Sequence, residues 1–107
     1  MDPELASAIY SAIRAVPVGR VVTYGQVAEL VDRPGAHRAV ARALRHCPDD
    51  VNLPWHRVVG KHSPRRARIS IPDPRGATRQ RKLLRAEGVL VDADDRICLR
   101  SYGWLPV

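Results

Sequence analysis

A chain of 107 residues has room for one hydrophobic core and is too short for two ordinary ones, so a single domain over 1–107 is expected. No unbroken apolar run approaches the roughly 18 residues of a membrane span, and the N-terminus lacks the basic-then-apolar order of a signal peptide. The net charge of +7 is uneven: residues 33–85 hold 14 Lys and Arg against Asp49, Asp50 and Asp73, a net +11, between ends that sum to −4.

A soluble, cytoplasmic protein without contact to membranes follows as the expectation, nucleoid-associated in a bacterial setting. The basic middle suits either a polyanion laid across one face or a solvated surface in an arginine-rich background. Sixteen of the 18 basic residues are arginine, whose planar fork matches phosphate oxygens better than a lysine point charge.

In chain order, Asp2-Pro3-Glu4 is an N-cap with proline at the first helical position. Leu5, Ala8, Ile9, Ala12, Ile13 and Val16 then recur at helical spacing up to Pro17. Thr23 and Gln26 form a capping box that opens a second helix through about Val31, with Val27, Leu30 and Val31 facing inward. Asp32-Arg33-Pro34-Gly35 is a turn, and Ala36 to His46 reads as a third helix. Two short helices around so tight a turn resemble a helix-turn-helix.

At about 100° per residue, Ala36, Ala39, Val40, Ala43 and Leu44 share one half of the third helix, while Arg38, Arg42 and Arg45 cluster on the other. No acidic residue inside that helix pairs with them, so the like charges repel unless an anion lies across the stripe. A helix solvated by its own charges is the alternative. Pro48-Asp49-Asp50 ends the helix, and Arg57-Val58-Val59 is a candidate strand. Residues 60–76, with the run Arg65-Arg66-Ala67-Arg68, read as a mobile basic loop. A fourth helix is expected from about Ala77 to Glu87, stopping at Gly88. Val89 to Val91 and Arg96 to Leu99 then read as a small hairpin around Asp92-Ala93-Asp94-Asp95. Trp104 in the tail reads as packing. Cys47 and Cys98 fit no metal-ligand or redox spacing, so reduced thiols and neither a metal nor a cofactor are expected.

Four segments, "VTYGQVAEL" (22–30), "RPGAHRAVARAL" (33–44), "PWHRVVG" (54–60) and "LLRAEGV" (83–89), resemble in order the DNA-binding domain of the O6-alkylguanine-DNA alkyltransferases. The resemblance implies a mainly α fold with short strands, a winged-helix-like domain carrying a helix-turn-helix. In those enzymes the third motif reads Pro-Cys-His-Arg and its cysteine accepts the alkyl group. Trp55 occupies that position here, as in the alkyltransferase-like branch, which binds alkylated guanine without removing the lesion. An indole has an N–H donor and no thiolate, so alkyl transfer at this position is excluded and no enzyme is expected.

By that resemblance Arg38 is the arginine inserted where the flipped base was, and Tyr24 stands beside the target phosphate. Trp55, Tyr24, His56, Val58 and Arg68 are the implied lesion pocket, with Arg65 and Arg66 as alternatives to Arg68. Thr23, Gln26, Ala36, His37, Ala39, Ala41, Arg42 and Arg45 are the implied DNA contacts in a minor-groove approach. His56 and Glu87 match the residues that activate the missing cysteine; with Arg57 they are expected to form a structural network. His37, Arg42 and Cys47 depart from the family pattern, Cys47 standing in place of a pocket asparagine. The implied partners of a monomer are double-stranded DNA containing O6-alkylguanine and nucleotide excision repair proteins. A helix-turn-helix DNA binder or regulator without lesion specificity is the alternative reading.

Overall fold

The computed structural model describes residues 2–48 and 50–104. Its first helix, α1 (Pro3–Arg14), starts as the sequence dictates: the Asp2 carboxylate accepts from the Glu4 N–H, with proline at the first helical position. The two-residue strand β1 (Val22–Thr23) runs straight into α2 (Tyr24–Leu30). Both halves of the capping box are made, Gln26 N–H to Thr23 Oγ1 at 3.2 Å and Thr23 N–H to Gln26 Oε1 at 2.9 Å. At its other end α2 closes in a Schellman turn, with Arg33 N–H bonded to the Ala28 carbonyl and Asp32 N–H to that of Glu29. Asp32 takes the left-handed conformation there, φ 59°. Asp tolerates that region because its short side chain bonds locally.

Helix α3 (His37–Arg45) follows and packs against α2, completing the helix-turn-helix. Val40 and Ala43 are buried while Arg38, Arg42 and Arg45 are exposed. A single 3-10 turn, Trp55–Arg57, leads into β2 (Val58–Ser63). Strand β3 (Arg66–Arg68) and helix α4 (Pro74–Ala86) come next, then β4 (Arg96–Cys98) and the short α5 (Leu99–Tyr102). The four strands form one sheet in the order β1-β2-β3-β4, parallel between β1 and β2 and antiparallel thereafter. One core cluster joins α1, α2 and α3 around Ile9, Ile13, Val27, Val40 and Val58; a second joins the sheet to α4 around Val59, Ala67, Leu84 and Ile97. Trp104 packs on the first of these.

Three expectations are corrected. Residues 60–76 are not one loop: β2 and β3 pair as a hairpin with a bulge between Lys61 and Ser63, and α4 begins at Pro74, capped by Asp73. The basic run hid an alternation, since Ala67 is buried between exposed Arg66 and Arg68. The expected hairpin of 89–91 with 96–99 does not form; β4 pairs with β3, Ala67 opposite Ile97, and residues 89–91 are not a strand. The Asp92–Asp95 turn is real, Asp95 N–H bonding to the Asp92 carbonyl. Finally, Leu30 is 40% exposed, because the seven-residue α2 turns only Val27 and Ala28 fully into the core. Of the helix-ending Pro48-Asp49-Asp50, Asp49 lies outside the described residues, as do residues 105–107 of the tail.

Candidate nucleic-acid interface

The parallel register, Val22 beside Val58 and Thr23 beside Val59, sets two chain segments side by side: the entry to α2 and the exit from the 3-10 turn. The capping box fixes the first turn of α2 and therefore Tyr24. Trp55 is held from behind. Glu87, at the C-cap of α4, receives Nε2 of His56 at 2.6 Å, Nη2 and Nε of Arg57 at 2.8 and 3.0 Å, and the Gly19 N–H at 2.9 Å. Arg57 also donates to the Val16 carbonyl at 2.9 Å. A Schellman turn with Gly88 at φ 85° ends α4, placing Glu87 at this spot. Buried Gln80 adds a clamp on the same turn, its Nε2 donating to the carbonyls of His56 and Val58.

Burial alone would raise the Glu87 carboxyl, but the donors from Arg57, Gly19 and His56 outweigh it and hold the group down at about 2. Glu87 is thus an ionised acceptor, and the His56 Nε2 facing it carries the hydrogen. The His56 ring stands edge-on to the Trp55 indole, centroids 6.1 Å apart at 85°. Over the same indole lies the Arg79 guanidinium of α4, 6.0 Å from the ring centroid.

In front of Trp55 opens a mostly apolar cavity of about 700 Å³. Arg38, Ala41, Arg42 and Arg45 of α3 line it together with Tyr24 and Trp55. Ser70, Ile71, Pro72 and Asp73, the link from β3 to α4, line it as well. Burial pushes the half-buried Tyr24 phenol above its ordinary 10.0, while a hydrogen bond with Ser70 and the charge of Arg45 pull it back. The phenol therefore remains a neutral donor at neutral pH. Gly60 permits the close approach of that link: a Cβ there would lie 2.7 Å from Ser70 Oγ.

Six of the residues singled out by sequence meet at this cavity: Tyr24, Arg38, Ala41, Arg42, Arg45 and Trp55. Val58 does not reach it, being fully buried in the first core cluster. His56 lies behind Trp55 with Arg57 and Glu87. Arg65, Arg66 and Arg68 are exposed on the β2–β3 hairpin and are not among the residues that line the cavity. The side-chain oxygens of Thr23 and Gln26 each accept from the other residue's backbone N–H. Ala36, His37 and Ala39 sit on the first turn of α3 outside the cavity, Ala36 packed on the core. Cys47 is half-buried with its Sγ near the carbonyls of Pro48 and Val51. Sequence reasoning missed Leu44, the Ser70–Asp73 wall and Arg79. Asp73-Pro74 repeats the Asp2-Pro3 helix start, and that signal would have placed the wall at the head of α4. Among the described residues no three His, Cys, Asp or Glu gather as a metal site.

The family described as 6-O-methylguanine DNA methyltransferase, DNA binding domain, matches residues 4–89. The chain is 42% identical over 96 residues to the DNA base-flipping protein of Escherichia coli K12, covering 90% of this chain and 70% of that protein. It is 33% identical over 108 residues to alkyltransferase-like protein 1 of Schizosaccharomyces pombe, covering 96% of each. The solved structure of S. pombe Atl1 in complex with damaged DNA containing O6-carboxymethylguanine superposes with a TM-score of 0.84 at 32% identity, covering 99% of both chains.

Proposed function

This chain belongs to the 6-O-methylguanine DNA methyltransferase DNA-binding-domain family, and from that premise we propose that it captures O6-alkylguanine in duplex DNA by nucleotide flipping, without alkyl transfer. The observation that carries the reading is the position of Trp55, an indole in the lining of a cavity that it shares with the arginines of α3. The sequence resemblance puts a reactive cysteine at this place in the alkyltransferases. An indole offers a stacking surface and no nucleophile, so binding stays reversible.

Energetics fit capture of a damaged base. Extruding a nucleotide costs a few kcal/mol, less where pairing is already weakened, as at guanine that has lost its N1 proton. A base–aromatic stack returns about 1–3 kcal/mol, which offsets extrusion and leaves little over. Phosphate contacts supply the remainder. Arg38 fills the space vacated in the duplex, and Arg42, Arg45 and His37 contact the backbone as small Ala41, beside the arginines, lets α3 enter the minor groove, with Ala36 and Ala39 leaving the inward half of the helix slim. Tyr24, neutral and half-buried, donates to the phosphate of the rotated nucleotide. His56, Arg57 and Glu87 fix the turn that carries Trp55. Arg68, with Arg65 and Arg66, reaches DNA from the hairpin rather than from inside the cavity. The protein acts as one domain and as a monomer, and by family resemblance the complex marks the lesion for nucleotide excision repair.

Paired affinity measurements test this. A duplex with one O6-methylguanine binds more tightly than its unmodified twin, and Trp55→Ala removes most of that difference. Equal affinity for both duplexes in the wild-type protein overturns the lesion reading and leaves a helix-turn-helix DNA binder.

A further inference from the structure

The exposed face of α4 carries a second basic strip outside the cavity. Arg75, Arg79 and Lys82 fall at helical spacing on one side with Thr78, all exposed, and together they line a shallow surface depression. The strip rises about 10 Å along the helix axis, roughly three nucleotide steps at 3.4 Å per step. Helix α4 contains no acidic residue. The neighbouring carboxylates are already engaged: Asp73 Oδ1 accepts the Arg75 N–H, Glu87 holds His56 and Arg57, and Asp95 takes Arg81 on another side of the helix. Among the described residues none of the three strip cations has an acidic partner within ion-pair distance.

We propose that this strip is a phosphate track, along which the α4 face holds the DNA backbone beyond the flipped nucleotide. The inference rests on the reading that the protein binds DNA. Two observations favour a nucleic-acid backbone as the occupant. Arg79 lies over Trp55 itself, so the strip is continuous, across one indole, with the arginine-lined cavity. It also begins at the cavity wall, where Asp73 leads into Pro74 and Arg75. A strand passing the edge of Trp55 therefore meets Arg79 in the middle of the strip, with Arg75 and Lys82 about one helical turn to either side. Engaging both α3 and α4 makes the backbone turn around Trp55.

The experiment is the salt dependence of binding by an Arg75→Gln/Lys82→Gln variant, which leaves Arg79, Trp55 and the buried Ala77, Gln80 and Leu84 in place. Fluorescence anisotropy on lesion-containing and unmodified duplexes, across a range of salt, gives the slope of log affinity against log salt. Each lost phosphate contact lowers the magnitude of that slope by about 0.9, so a reduction near 2 is expected on both duplexes. An unchanged melting temperature for the free variant shows that the fold is intact. An unchanged slope overturns the track and leaves the strip to some other partner, an acidic protein surface included. The lesion reading fails separately, when the wild-type protein itself binds both duplexes equally.

Discussion

Trp55 has unlike neighbours: it lines the apolar cavity, lies under the Arg79 guanidinium and stands at right angles to the His56 ring. Its place at the cavity was legible in sequence because it stands in the Pro-x-His-Arg setting on which the resemblance rests. Arg79 was not legible, since a contact from the next helix leaves no local pattern. Trp55→Ala is expected to weaken binding of the O6-methylguanine duplex by roughly 5- to 150-fold, the stacking range of 1–3 kcal/mol, with little effect on unmodified DNA. Behind the ring, Glu87 gives a pH signature. Its folded-state pKa lies below the ordinary 4.5, so the folded protein holds its proton less tightly than the unfolded chain. The resulting stabilisation is fully present above about 4.5 and is lost as pH falls towards about 2. Its full size is roughly 3 kcal/mol at 1.36 kcal/mol per pH unit. Urea unfolding of the wild-type protein and Glu87→Gln should differ most at neutral pH and converge below pH 4.5; a constant gap contradicts the assignment.

At the scale of elements, α3 sets stability against binding. Arg38 and Arg42 are four residues apart, Arg42 and Arg45 three, and such like-charge pairs each cost about 0.2–0.5 kcal/mol. Arg42→Gln should therefore raise the melting temperature slightly while lowering the magnitude of the salt slope by about 0.9 for one lost phosphate contact. A variant that loses stability and keeps its slope would place Arg42 in the fold and not at the interface. The Ser70–Asp73 wall depends on a close approach between elements. Gly60 of β2 has no room for a Cβ against Ser70, so Gly60→Ala must push the Ser70–Asp73 link away from the strand. Such overpacking costs about 1–3 kcal/mol, and lesion affinity should fall with stability in the same variant. Helices α1 and α2 were readable from their caps and α3 from the turn before it and its 3.6-residue spacing, since those signals are local. The β2–β3 hairpin and the β3–β4 pairing were not, because three-residue strands are specified by partners distant in the chain and their alternation was buried in a run of arginines.

Over the whole molecule, the +7 charge is carried mainly by residues 33–85, which supply both the α3 arginines and the α4 strip. Binding to any duplex should weaken steeply as salt rises through release of counterions, while the ratio between modified and unmodified duplexes changes far less, because stacking on Trp55 is not ionic. The winged-helix-like, mainly α class was legible through motif order, and the geometry of the cavity was not, since it forms where α3, the 3-10 turn and the β3–α4 link converge. Capture without transfer is decided most directly by intact mass spectrometry of both partners, after the protein has been saturated with an O6-methylguanine duplex and released in high salt. The account predicts a protein of unchanged mass and an oligonucleotide that still carries its methyl group. A protein one methyl group heavier, with the oligonucleotide restored to guanine, would contradict it.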